Sequence, residues 1–201
     1  MANDALVDYL KETGAIRTRR VEEAFRAVDR ALFVPEEARE LAYEDTALST
    51  RAGQTISQPA VVALCLEWLG VEPGDRVLDI GSGSGYTTAL LAELAGEGGE
   101  VIGLEIVPEL VAFGQGNLAK LAPRNARIGR AGKELGRPGE TFDRILVSAA
   151  AREIPEAFKR QLKDGGRMVI PVGSAICVVS RAGDAFPETC HEGYIFVPLV
   201  T

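Results

Sequence analysis

The stretch that decides the fold is Arg76-Val77-Leu78-Asp79-Ile80-Gly81-Ser82-Gly83-Ser84-Gly85. Residues 76–80 form a short apolar run that ends in glycines, which predicts a buried strand. The glycines allow a tight turn and let a ligand approach the backbone without meeting a Cβ atom. Residues 85–94 then follow as a helix. A strand joined to a helix by a glycine turn is typical of α/β proteins.

Downstream of this stretch, strands and helices continue to alternate. We predict strands at 101–104, 126–128, 144–147 and 167–170, and helices at 108–121 and 155–162. Such alternation predicts a mostly parallel sheet with helices on both faces. The alternation stops after residue 170, because 176–179 and 194–197 are two apolar runs with no helix between them. These two runs are expected to pair as an antiparallel hairpin at the edge of the sheet.

The residues upstream of the glycine stretch predict a helical extension. Val21, Ala24, Phe25 and Val28 share one helix face, and Pro35 ends that region. A short helix at 36–43, a polar loop at 44–56 and a helix at 59–69 follow. We therefore expect an N-terminal helical region at 1–70 and an α/β core at 71–201, within one compact domain.

Composition and charge exclude several classes of function. The chain has 201 residues, 46% of them apolar, and a net charge of −7, so nucleic acid is not an expected partner. Three cysteines and one histidine show no metal-site spacing, and the adjacent pair Cys190-His191 cannot complete a tetrahedral site, so no metal is expected. Neither a signal peptide nor a membrane span is visible, which predicts a cytoplasmic protein with no membrane partner.

Two acids beside the glycine loop indicate the ligand. Glu105 ends the second predicted strand of the core, where a carboxylate can accept hydrogen bonds from both ribose hydroxyls. Asp79 stands two residues before Gly81, where it would repel a pyrophosphate but attract the ammonium group of a methionine tail. Tyr86 replaces the third glycine of the dinucleotide fingerprint. The pattern therefore favours S-adenosylmethionine over NAD, and the predicted edge hairpin is usual in Rossmann-like methyltransferases.

Further motifs resemble those of the protein-L-isoaspartate O-methyltransferases, and the likeness runs from about residue 28 to residue 200. The N-terminal motifs are Leu32-Phe33-Val34-Pro35, Ala42-Tyr43 and Gly53-Gln54-Thr55-Ile56-Ser57-Gln58-Pro59. The later ones are the glycine stretch through Tyr86, Ala149-Ala150-Ala151, Glu153-Ile154-Pro155, Gly165-Gly166-Arg167, Ile170-Pro171-Val172-Gly173 and Phe196-Val197-Pro198-Leu199. The resemblance implies methylation of isoaspartyl residues in damaged proteins or peptides, which would be the partners.

The resemblance also implies roles for individual residues. Ser57 is the expected catalytic residue, and Ser57 and Ile195 are expected to bind the substrate. The expected S-adenosylmethionine contacts are Thr55, Ile56, Ser57, Gln58, Asp79, Gly81, Ser82, Gly83, Glu105, Ile106, Ala131 and Gly132. Another interpretation of Ser57 is structural, since a serine just before Pro59 is suited to cap the helix that begins there.

One loop departs from the family pattern. The family usually carries Gly-Asp-Gly after the third strand, with the aspartate on the adenine amino group. Counting back from Phe142, that place holds Arg130-Ala131-Gly132, which contains no acid. Two alternatives therefore stay open. One is a carboxyl methyltransferase for a different peptide or small molecule, and the other is a non-catalytic relative that binds S-adenosylmethionine.

Overall fold

The fold is built on one large sheet, seen in a computed structural model that describes residues 2–200. Its seven strands are β3 Arg76–Ile80, β4 Glu100–Glu105, β5 Ala126–Arg130, β6 Phe142–Val147, β7 Leu162–Val172, β8 Ala175–Ser180 and β9 Glu188–Glu192. Their order across the sheet is β5-β4-β3-β6-β7-β8-β9. Strands β3 to β7 pair in parallel, whereas β7-β8 and β8-β9 pair antiparallel. The predicted Rossmann-like α/β fold, mostly parallel with an antiparallel edge, is confirmed.

The helices cover the two faces of the sheet unequally. They are α1 Ala2–Glu12, α2 Arg19–Ala27, α3 Pro59–Leu69, α4 Tyr86–Ala95, α5 Pro108–Leu121 and α6 Glu156–Lys159. Side chains from α1 to α5 share one core cluster with Val77, Val101 and Leu146 of the sheet. The alternate strand residues, such as Leu78 and Ile145, pack on the other face with Phe158 of α6. Successive residues of a strand thus pack on opposite faces, as they must in a sheet that is covered on both sides.

Helices α3 and α5 have the predicted bounds, while other segments differ in detail. The predicted helix at 36–43 is a 3-10 helix over Glu36–Leu41. Helix α6 ends at Lys159, short of the predicted residue 162, because Leu162 already begins strand β7. The predicted loop at 44–56 contains a small antiparallel pair, β1 Leu48–Ser49 and β2 Thr55–Ile56.

The edge hairpin is present, but the prediction of its second strand at 194–197 was wrong. Strand β8 pairs with β9, in the register Cys177↔Cys190, and residues 194–197 lie outside any strand. The backbone N–H groups of Gly193 and Tyr194 both donate to the Ser174 carbonyl, which ends the pairing. Strand β9 is a mostly exposed, polar edge, so it carries no apolar signal. The apolar residues at 194–197 instead line clefts beside the sheet.

Cys177 and Cys190 form a disulfide between β8 and β9, a pairing that the cysteine count did not predict. Cys65 is free and buried in α3. Strand β9 is also attached to α3, because the rings of His191 and Trp68 stack with centroids 4.3 Å apart. Within residues 2–200, no helix is long and apolar enough to cross a membrane, and no group of metal-ligating side chains is present.

Candidate functional site

A cavity of about 540 Å³ opens at the carboxyl ends of β3, β4 and β5. This is where open α/β sheets bind ligands. Among the residues predicted to contact S-adenosylmethionine, this cavity is lined by Thr55, Gly81, Gly83, Glu105, Ile106, Ala131 and Gly132. A smaller adjoining recess is lined by Ile56, Ser57 and Ser82. Most of the expected S-adenosylmethionine contacts therefore line these two adjoining cavities.

The glycine loop at the floor of the cavity needs its glycines for two reasons. Gly81, Gly83 and Gly85 all have positive φ angles, of 81°, 51° and 88°. A side chain at Gly85 would also meet the backbone, since its Cβ would lie 3.0 Å from the Gly114 carbonyl oxygen. Helix α5 therefore packs directly against the loop, and the backbone stays exposed to the cavity.

Glu105 holds two loops in place at the end of β4. Its Oε2 accepts a hydrogen bond from the Gly83 N–H at 3.0 Å, and its Oε1 accepts one from the Val107 N–H at 2.9 Å. The residue is 6% exposed and lines the cavity. Each carboxylate oxygen can accept a further hydrogen bond. The arrangement suits a ribose whose two hydroxyls meet this carboxylate.

Asp79 lies beneath the glycine loop and is fully buried. Its Oδ2 accepts hydrogen bonds from the hydroxyls of Thr88 at 2.6 Å and Thr87 at 2.9 Å. Its Oδ1 has no hydrogen-bond partner in the described part of the chain. Burial raises the pKa of Asp79 to about 6, although the two threonine hydroxyls lower it. A buried carboxylate oxygen without a partner fits a cationic ligand group.

The structure places the remaining predicted contacts at different positions. Ile106 is 38% exposed at the rim of the cavity. The Ala131 N–H donates to the Glu105 carbonyl, and the partly buried Ala131 also lines the cavity. Gln58 does not reach this cavity and lines a neighbouring cleft instead. Sequence reasoning missed other lining residues, among them Gln54, Lys133, Glu134, Leu135, Ser148 and residues 197–200.

A second cleft of about 580 Å³ adjoins the first cavity. It contains the two residues that were predicted to bind substrate, Ser57 and Ile195. Ile195 is 95% exposed and forms an apolar rim. Among residues 2–200, none that lines the cleft is charged. The lining comprises Ala47, Thr55, Ser57, Gln58, Val61, Ser148, Gly193, Tyr194, Ile195, Phe196 and Val197. Polar recognition in it therefore depends on hydroxyl, amide and backbone groups.

Ser57 does not cap helix α3, so that interpretation was wrong. The N-cap position belongs to Gln58, whose side chain makes no capping hydrogen bond. Asp45 performs this task from a distant loop, because its Oδ1 accepts the Ala60 N–H at 2.8 Å. The partly buried Ser57 side chain is thus left facing the recess and the cleft, both of which it lines.

The two cavities meet at residues they share. Thr55, Ser148 and Val197 line both the large cavity and the uncharged cleft. Ser148 follows β6, and its Cβ lies 3.7 Å from where a Cβ at Gly81 would stand. The sequence held no signal for Ser148, because a serine at the end of a strand is common and carries no meaning until its neighbours are known.

Comparisons with known proteins agree with this geometry. The family model for protein-L-isoaspartate (D-aspartate) O-methyltransferases matches residues 1–201. A protein-L-isoaspartate O-methyltransferase from Methanopyrus kandleri is 43% identical, over 99% of this chain and 91% of the relative. One from Methanothrix thermoacetophila is 45% identical, over 100% of this chain and 95% of the relative.

The fold also matches a solved structure along almost the whole chain. It is a crystal structure described as a putative protein-L-isoaspartate O-methyltransferase from Plasmodium falciparum, in complex with S-adenosyl-L-homocysteine. The TM-score is 0.89, with 29% sequence identity, and the match covers 98% of each chain. With a family match along its whole length, the chain belongs to the protein-L-isoaspartate (D-aspartate) O-methyltransferase family.

Proposed function

We propose that this chain transfers the methyl group of S-adenosylmethionine to the α-carboxyl group of isoaspartyl residues in proteins or peptides. The observation that carries the proposal is the junction of the two cavities at Thr55 and Ser148. A donor in the large cavity and a peptide in the uncharged cleft would meet there. Family membership supports this choice of acceptor.

The residues of the large cavity fit the methyl donor. Among its lining residues, Glu105 would accept hydrogen bonds from the ribose and Ile106 would contact the adenine at the rim. Asp79 does not line this cavity; from beneath the glycine loop, its unpartnered Oδ1 would face the ammonium group. When bound, S-adenosylmethionine supplies an electrophilic methyl group on a sulfonium. The glycine loop contributes a backbone surface against which the donor can lie closely.

The acceptor needs little chemical activation. A free carboxyl group is ionised at pH 7 and is already a nucleophile, so no general base is required. The task of the chain is to hold that carboxylate in line with the methyl group, which is an effect of position. The Ser57 hydroxyl would donate a hydrogen bond to one carboxylate oxygen. Ile195 would contact an apolar part of the peptide.

Paired peptides that differ only in Asp or isoAsp test the proposal. We expect base-labile incorporation of radiolabelled methyl into the isoAsp peptide and little into the Asp peptide. Absence of labelling in every isoAsp peptide, at saturating S-adenosylmethionine, would contradict it. Labelling of another carboxyl compound would then favour a different acceptor, and binding of the donor without any transfer would favour a non-catalytic relative.

Substitution of Ser57 provides a second test. We expect Ser57→Ala to reduce turnover of the isoAsp peptide by about tenfold or more, because the carboxylate loses one hydrogen-bond donor. The affinity for S-adenosylmethionine, measured by calorimetry, should change much less. Ser180→Ala, on strand β8, serves as the matched control. Equal turnover in Ser57→Ala and the wild type would remove Ser57 from the mechanism.

A further inference from the structure

Arg30 is fully buried, which is unusual for an arginine. Its Nη1 donates to the carbonyl oxygens of Ala42 at 2.8 Å and Glu44 at 3.4 Å. Its Nη2 donates to the carbonyls of Thr46 at 3.1 Å and Ser57 at 3.2 Å. All four bonds thus go to the backbone. One guanidinium joins the loop at 42–46 to the residue proposed to hold the substrate.

The shape of the guanidinium explains why an arginine occupies this position. Its N–H groups form a rigid planar fork, whereas a lysine offers a single ammonium group on a flexible stem. Burying a charge is costly unless strong hydrogen bonds compensate it. The four carbonyl groups compensate the two Nη atoms, while Nε has no hydrogen-bond partner among the described residues. These bonds also fix the positions of the four carbonyls.

Asp45 holds the same segment from its other end. Its Oδ2 accepts a hydrogen bond from the Gln58 side-chain amide at 3.1 Å, and its Oδ1 accepts the Ala60 N–H. Asp45 itself lies in the loop that Arg30 binds. Arg30 therefore holds the carbonyl group of Ser57, and Asp45 holds Gln58 and Ala60, which follow directly after it.

We propose that Arg30 and Asp45 form a clamp that positions the Ser57 hydroxyl at the junction of the two cavities. Both are positioning residues, since neither lines the cavity or the cleft. This inference rests on the proposed role of Ser57. A shift of about 1 Å in a positioning group can cost about a hundredfold in rate, so the clamp acts on turnover through Ser57.

A double-mutant cycle tests the clamp. Arg30→Lys keeps the charge but loses the fork, and Asp45→Asn keeps the size but loses the charge. Each is expected to lower kcat for an isoAsp peptide by about tenfold and by no more than Ser57→Ala does, with the rate expressed per site that binds S-adenosylmethionine. In the Ser57→Ala background the same changes should cost no more than about twofold, because the group they position is gone.

Arg26→Lys is the matched control. Arg26 lies in α2 and pairs with Asp4, Asp8 and Glu22, outside both cavities. We expect it to change thermal stability without changing kcat. Equal fold-losses in the wild-type and Ser57→Ala backgrounds would overturn the clamp, as would a fall in stability with unchanged turnover per binding site. If Arg30→Lys does not fold, the Asp45→Asn cycle decides by the same criteria.

Hydrogen–deuterium exchange gives a readout that is independent of the methyl acceptor. The clamp variants should exchange faster in a fragment covering residues 54–60, while strands β3 and β6 stay unchanged. Arg26→Lys should leave that fragment as in the wild type. Unchanged exchange at 54–60 would overturn the clamp even if no isoAsp peptide is methylated. Faster exchange in a protein that methylates no isoAsp peptide would contradict only the proposed function.

Discussion

At the scale of a single residue, Asp79 connects the stability of the fold to pH. Burial raises its pKa to about 6, whereas an aspartate in an unfolded chain has a pKa near 3.9. Between about pH 4 and pH 6 the folded state therefore binds more protons than the unfolded state. Well below this window the raised pKa of Asp79 does not change the free energy of unfolding. Well above it, the raised pKa lowers that free energy by its full amount.

We expect Asp79→Asn to remove this pH dependence. Wild-type stability should fall by about 2 kcal/mol as pH rises from 4 to 6, relative to the variant, since one pKa unit is about 1.4 kcal/mol and both titrations are incomplete at the ends of this range. Urea unfolding at a series of pH values measures it. Asp184→Asn, at an exposed position, serves as the control. A constant difference between wild type and Asp79→Asn across this range would mean that Asp79 titrates as it does in the unfolded chain.

Ala131 carries the departure from the family's Gly-Asp-Gly pattern. It lines the rim of the cavity and offers no acceptor to an adenine amino group. We expect Ala131→Asp to tighten S-adenosylmethionine binding by about tenfold, which corresponds to one charge-assisted hydrogen bond at a partly exposed site. Calorimetry should show a smaller gain with an analogue that lacks the amino group. Unchanged affinity would point to Glu134, which lines the same cavity and carries a carboxylate.

At the scale of elements, helix α5 sets the position of the glycine loop. A Cβ at Gly114 would lie 2.7 Å from the Gly83 carbonyl oxygen, while a Cβ at Gly116 would meet nothing within 4 Å. The two glycines are two residues apart on one helix, yet only the first touches the loop. Because the loop packs so closely against helix α5, space remains for a ligand on the other side of the loop.

Alanine substitutions at these two glycines should therefore have opposite effects. Gly116→Ala should stabilise the protein by about 0.5–1 kcal/mol, since alanine favours helix and has free space. Gly114→Ala should destabilise it and weaken S-adenosylmethionine binding, because helix and loop must separate. Thermal unfolding and calorimetry measure both effects. Equal stabilisation by the two substitutions would show that the helix can move without disturbing the loop.

At the scale of the whole molecule, the N-terminal helices and the sheet share one core. The cluster that contains Leu6 of α1 also contains Val169 of β7. The division into a helical region at 1–70 and a core at 71–201, within one compact domain, stays a prediction. Coincident unfolding followed by circular dichroism and by Trp68 fluorescence would support a single cooperative unit.

The disulfide between β8 and β9 is expected to stabilise the whole molecule against unfolding. Cys177 and Cys190 are 13 residues apart in sequence, and a loop of about that length confers about 3 kcal/mol when it is closed covalently. We expect urea unfolding with dithiothreitol to show a loss of that order. In Cys190→Ser the reductant should have no further effect, although Cys65 remains. An unchanged unfolding midpoint on reduction of the wild type would contradict the expectation.

Local features of the sequence determined the α/β class, helices α3 and α5, and the glycine loop with its two acids. Each is encoded by neighbours in the chain: apolar periodicity, a proline in the first helical turn, and glycines where φ must be positive. A strand end followed by glycine also indicates which side chains to expect beside a ligand. For this reason Asp79 and Glu105 were predicted from spacing alone.

Only the tertiary structure decided what surrounds Ser57. Arg30, Asp45 and Ser148 come from three distant segments, and none has a local pattern that marks it. Strand β9 was missed because its polar residues lie on an exposed edge, while the apolar residues 194–197 cover clefts rather than form a strand. Contacts between segments that are remote in sequence depend on packing, and packing is not periodic along the chain. The glycine loop could thus be predicted from neighbours, whereas the surroundings of Ser57 in the proposed acceptor site required the folded molecule.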